Sequence, residues 1–104
     1  MEIKTIDLQA KQWFDKTNAN SYFSAIITLN FGLDSEKTIG MPFQYGYDNQ
    51  YRYQALNELQ NYGYIPYTKV YTLVDYCLDN KIDLRMSKKE NCLKSEVKNF
   101  IKYI

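Results

Sequence analysis

The chain has 104 residues, 45% of them hydrophobic and 24% charged, enough for one core and unlike either a disordered or a membrane protein. Thirteen Lys and Arg oppose twelve Asp and Glu for a net charge of +1, and there is no histidine. This balance excludes a bulk electrostatic pull toward nucleic acid or an anionic membrane, and the missing histidine removes the commonest general base and transition-metal ligand.

From Ile6 to Ala10 apolar and polar residues alternate ahead of Trp13-Phe14, which predicts a half-buried strand over Glu2–Phe14. A helical face through Leu8, Lys11, Gln12 and Asp15 is the competing assignment. Asp15 to Ser21 is polar and rich in Asn, so the chain reverses there. Tyr22–Phe31 then alternates cleanly, with Phe23, Ala25, Ile27, Leu29 and Phe31 on the core side. Gly32 to Glu36 reads as a hairpin loop.

A third strand over Thr38–Tyr45 sets Ile39, Met41, Phe43 and Tyr45 on one face. Pro42 lies within it and cannot donate to a ladder, so this strand belongs at an edge or is bulged there. Asp48 or Asn49 then caps a helix that runs to Tyr62, with Gly63 at its C′ position. Thr68 is the expected N-cap of a second helix, which carries Val70, Tyr71, Val74, Cys77 and Leu78 to about Asn80. Ile82, Leu84 and Met86 alternate as a short strand able to join the sheet edge. Ser87-Lys-Lys-Glu90 fits a capping box, with Asn91 as a second possible start, before a terminal helix marked by Leu93, Val97, Phe100, Ile101 and Ile104.

The expected fold is therefore α+β in a single domain over 1–104: a three-stranded antiparallel β-meander packed on a helix, followed by a helix, a short strand and a C-terminal helix. Cys77 and Cys92 are expected as free thiols in a reducing cytoplasm, since no secretion signal opens the chain. No apolar run reaches membrane-spanning length, and no phosphate loop, CxxC, GxSxG or metal-loop spacing is present. No cofactor, metal or catalytic residue is expected.

The densest aromatic stretch is Pro42–Leu59. Tyr45 and Tyr51 are expected to fill the space between sheet and helix, and Trp13 to sit in the core. Tyr47 and Tyr53 turn outward by strand and helix phase; with Arg52 they are the candidate partner-binding residues, because tyrosine couples a large rigid contact area to a hydroxyl. Lys88, Lys89, Lys94, Lys98 and Lys102 form a basic face on the expected terminal helix and are the candidate nucleic-acid contacts.

Trp13-Phe14-Asp15-Lys16, Asn20-Ser21-Tyr22-Phe23-Ser24, Pro42-Phe43-Gln44-Tyr45-Gly46-Tyr47 and Gln50-Tyr51 ahead of Ala55 together resemble a group of small uncharacterised proteins of phages and prophages. That group carries a WFD, GN-S/T-Y and PFxYGYGxxY pattern. This chain has Ala19 and Asp48 where the group tends to have glycine, and its C-terminal part is unmatched. The resemblance implies an origin in a phage or mobile element and carries no catalytic residue with it. The expected function is a non-enzymatic accessory protein that binds a host or phage protein, an inhibitor of a host defence system such as an anti-CRISPR being one concrete version. The alternative is a small nucleic-acid-binding module using the lysines and aromatic side chains. A homodimer through the strand edge at Ile82–Met86 is compatible with the pattern.

Overall fold

In the computed structural model, which describes residues 1–67, 72–102 and 104, the alternation read from the sequence becomes a sheet with two differently covered faces. β1 (Thr5–Asp15), β2 (Asn20–Leu29) and β3 (Lys37–Tyr45) form the antiparallel meander, and β4 (Asp83–Lys89) joins β1 in parallel, giving the order β3-β2-β1-β4. The fold is α+β, with a four-stranded mixed sheet in place of the three-stranded one. The competing helical assignment for Leu8–Lys16 is excluded, because β1 is hydrogen-bonded on both sides, to β2 along Ile6–Asp15 and to β4 along Thr5–Lys11.

One face carries the core. Ile6, Leu8 and Ala10 of β1 pair with Leu29, Ile27 and Ala25 of β2, and all six are buried. Helix α1 (Gln50–Asn61) lays Tyr51, Ala55, Leu56 and Leu59 on them at helical spacing, as an amphipathic stripe should. Neither Asp48 nor Asn49 caps it: Asn49 is the N-cap residue but no side-chain hydrogen bond is made there, and Asp48 is spent on a left-handed backbone turn at φ 51°. The other end behaves as expected. Gly63 takes φ 80°, its N–H donates to Gln60 O and the Tyr64 N–H to Leu59 O, the paired bonds of a Schellman stop.

The crossover from β3 to β4 is completed by α2 (Leu73–Asp79), capped by Thr72, whose hydroxyl accepts from the Asp75 N–H at 3.0 Å. The expected N-cap Thr68, with Val70 and Tyr71, lies outside the described residues. Leu73 and Cys77 are the buried pair of α2, whereas Val74 and Leu78 are exposed, so its apolar stripe is narrower than the sequence pattern suggests.

The C-terminal helix is the largest departure. α3 is only Lys94–Asn99. Ser87, read as the start of a capping box, lies inside β4 opposite Gln9, and the Glu96 carboxylate instead accepts the Leu93 N–H at 3.2 Å. A parallel partner far back in the chain wins over a locally plausible cap. α3 packs on the second face of the sheet, where the buried Ser24 hydroxyl donates to Val97 O at 2.6 Å.

The β1–β2 reversal is an Asx turn. Asp15 accepts from the Thr17 N–H at 3.0 Å and from the Asn18 side-chain amide at 2.9 Å. Ala19 closes it in the left-handed region at φ 55°. A Cβ in that region costs roughly 1–2 kcal/mol, partly offset by the extra chain entropy of glycine. Ala19→Gly should therefore raise stability by about 0.5–1 kcal/mol, read as a shift of the urea midpoint at unchanged slope; a lower midpoint would show that the turn carries no such strain.

Candidate binding surface

The second face of the sheet owes its character to one extra residue. Ala25 of β2 opposes Met41 and Phe23 opposes Gln44, so a step of two residues in β2 is matched by a step of three in β3, a bulge beside Pro42. A one-residue slip reverses side-chain direction. Ile39 and Met41 stay in the core as expected, but Phe43 and Tyr45 do not: both turn to the α3 face. There Trp13 and Tyr22, cross-strand neighbours on that face, meet them. Tyr22 and Phe43 stack with centroids 5.1 Å apart and planes within 4°, Trp13 lies 5.7 Å from Tyr22, and Tyr45 meets Tyr22 edge-on at 5.8 Å.

Trp13 is thus half-buried in an aromatic belt and is not a core residue. Tyr45, expected between sheet and helix, is 57% exposed, while Tyr51 is buried as expected. Helix α3 closes over the belt: Lys94 Nζ sits 5.1 Å from the Trp13 ring and Lys98 Nζ 5.3 Å from that of Phe43, cation–π contacts made by residues four apart on one side of the helix.

At the end of β3 the belt opens into a cleft of about 300 Å³ lined by Phe14, Ala19, Asn20, Ser21, Tyr45 and Tyr47. Tyr47, one of the candidate partner-binding residues, is 58% exposed and stands edge-on to Tyr45 with centroids 6.3 Å apart. Gly46 holds this corner. Its N–H donates to Ser21 O at 3.0 Å, and a Cβ there would fall 2.6 Å from the Phe23 ring. Close approach, more than freedom to bend, requires the glycine.

The other two candidates lie elsewhere. Arg52 and Tyr53 line a separate pocket of about 270 Å³ with Asn49, Thr72, Leu73, Val74 and Asp75. Tyr53 is 52% exposed, but Arg52 is partly committed inward, its Nε donating to the Tyr51 hydroxyl at 3.1 Å. The sequence-derived trio therefore divides, and the exposed partners of Tyr47 are Tyr45 and Phe14. A period-2 phase without the bulge points Tyr45 inward, and the register shift turns it out. Pro42 was the signal that the phase would break.

The five candidate lysines do not share a helical face. Lys88 belongs to β4 on the α1 side, where its ammonium bonds Asp48 O at 2.8 Å and Glu90 at 3.2 Å. Lys89, on the α3 side, pairs with Glu96 at 3.6 Å. Lys94 and Lys98 are the two on α3, and Lys102 follows the helix.

Among the described residues three groups titrate away from their ordinary values. The Leu93 amide, with Lys89 and Lys11 nearby, holds the Glu96 carboxyl below its ordinary value, and the Asn18 side chain does the same for Asp15. Burial pushes the Cys77 thiol up to about 11, which keeps it protonated and a poor nucleophile at neutral pH. Among the described residues no group of three or more His, Cys, Asp or Glu could hold a metal ion, and no helix is long and apolar enough to cross a membrane. No family model, curated protein or solved structure matches the chain.

Proposed function

We propose that this is a non-enzymatic binding protein that seats a partner protein at the corner where Phe14, Tyr45 and Tyr47 converge. The observation that supports it most is the bulge in β3, which takes Tyr45 out of the core and sets it edge-on beside Tyr47 at the mouth of a cleft. Exposed tyrosines held rigid by neighbours lose little entropy on binding and are favoured as interface anchors. Asn20 and Ser21 supply polar groups at the rim.

A phage or mobile-element accessory role, and within it inhibition of a host defence system such as CRISPR–Cas, is part of the same proposal and rests on the resemblance in the N-terminal part of the sequence. The alternative of a nucleic-acid-binding module draws support from Lys94 and Lys98 beside an aromatic belt. Base stacking, however, needs an open ring face. Here Tyr22 and Phe43 each spend a face on the other, and ammonium groups sit over Trp13 and Phe43, which favours the protein reading.

Affinity capture from host lysate with the intact chain, compared with Tyr45→Ala plus Tyr47→Ala, tests it. Both rings are exposed, so folding should persist, while loss of two anchors worth about 1–2 kcal/mol each should weaken the captured protein at least 30-fold. Equal recovery by the folded double variant would exclude the corner as the site. Binding to single-stranded DNA that fell steeply with salt, with no protein recovered, would favour the alternative.

A further inference from the structure

The free edge of β3 is built differently from the free edge of β4. Each is the outermost strand of the sheet, so every second residue turns its N–H and C=O away from any partner. β4 carries Asp83, Arg85, Lys88 and Lys89, charges of the kind that guard an edge against pairing. The stretch Lys37–Met41 of β3 has one charge, at Lys37 itself, before Pro42 ends the run of available N–H groups.

That stretch is also the floor of a groove. Lys37, Thr38, Ile39 and Gly40 lie between two apolar walls, Tyr62 and Tyr64 on one side and Ile101 and Ile104 on the other, around a volume of about 380 Å³. Tyr62 and Ile104 are mostly exposed. The two walls flank the sheet plane: Tyr62 and Tyr64 follow α1 on the core side, and Ile101 follows α3, its Cβ placed 3.3 Å from where a Gly40 Cβ would stand. Gly40 is thus what lets the α3-side wall close down onto the strand edge.

We infer that Lys37–Met41 is a strand-addition site for a short extended segment of the partner protein, apolar on both faces and followed by a carboxylate. The proposal rests on the protein-binding reading and names how part of the partner is held. The occupant follows from three features. Successive side chains of a strand point to opposite faces, so a segment paired here places alternate residues against the tyrosine wall and the isoleucine wall, and both parities must be apolar. The interval from Lys37 to Pro42 limits it to four or five residues. Among the described residues that line the groove no side chain bears a carboxylate and Lys37 has the one charged side chain; in the antiparallel pairing, which is the more stable, a residue opposite Lys37 comes after the apolar run. The match is therefore a run of Val, Ile, Leu or Phe closed by Asp or Glu, bound through backbone hydrogen bonds with side-chain pockets supplying selectivity.

Panning a displayed library of random linear peptides against the full chain tests this. The expected winners carry such a run with the acid on its C-terminal side. A synthetic winner should shift and protect the amides of Lys37–Met41, and N-methylation of alternate residues in its run should abolish binding. Tyr62→Ala should weaken it about tenfold and Lys37→Glu about threefold; both positions are exposed, so folding is not at stake. Winners that shift amides around Phe14, Tyr45 and Tyr47 instead would overturn the groove while leaving the corner intact. No enrichment would overturn it as well, with the lysate capture still deciding the corner independently. A concentration-dependent dimer that protects the same amides without peptide would overturn it in favour of a second copy as occupant.

Discussion

Asn30→Ala should destabilise the protein by about 3–4 kcal/mol, a large share of the 5–15 kcal/mol available to a domain of this kind. Asn30 is fully buried at the end of β2 with φ 53°. Its Oδ1 accepts from the Lys4 N–H at 2.7 Å and the Thr5 N–H at 3.3 Å, while its Nδ2 donates to Glu2 O at 2.8 Å and to the Ser35 hydroxyl at 3.0 Å. One side chain thus ties the entry of β1 to the loop before β3. Alanine leaves these partly buried groups without partners, at about 1 kcal/mol each where water reaches them incompletely, and it adds the left-handed penalty that Asn tolerates better. Asn30→Gly isolates the first cost by removing the second, and Asn30→Asp keeps both acceptor bonds while losing both donors. The expected order of urea midpoints is wild type, Asp, Gly, Ala. A midpoint for Ala within 1 kcal/mol of wild type would show that the clip carries little of the fold.

This clip also marks the limit of what the sequence disclosed. The clean alternation of β2 identified its buried face, since Phe23, Ala25, Ile27 and Leu29 needed nothing beyond a period of two. The same rule carried one residue too far, to Phe31, which is exposed: the left-handed turn at Asn30 ends the strand, and an Asn followed by Phe-Gly does not announce which of the three leaves the sheet. Helix α1 was legible because its stripe and its Gly63 stop are both local signals. β4 and α3 were only half legible. Ser87 to Glu90 satisfies a capping box locally, yet Thr5–Lys11 offers those residues a parallel ladder from the far end of the chain, and no local pattern weighs that pairing. At the candidate surface the outward placement of Tyr47 was legible and that of Tyr45 was not, because a bulge displaces phase by one residue and Pro42 signals its presence without fixing its position.

Gly46→Ala should cost about 2–3 kcal/mol, in the upper part of the range for overpacking a full core. The added Cβ would lie 2.6 Å from Phe23 Cε1 and 2.8 Å from Gln50 Cγ. Gln50 is exposed and can swing aside, but Phe23 is the largest of the fully buried side chains and cannot. Nor can the backbone retreat without giving up the Gly46 N–H bond to Ser21 O. The mechanism predicts a specific rescue. Phe23→Leu removes the ring atom that clashes, so the double variant should be more stable than the sum of the two single costs by about 1 kcal/mol, the coupling expected of residues in direct contact. Strictly additive costs would mean that Gly46 is required for some reason other than the ring behind it. The same substitution reaches the proposed function: Tyr45 and Tyr47 flank Gly46, so whatever shift relieves the clash moves the two rings relative to each other. Partner capture should therefore fall in Gly46→Ala even at temperatures where the variant is fully folded, and recover with stability in the Phe23→Leu background. Recovery of stability without recovery of capture would separate the corner's rigidity from its role in binding.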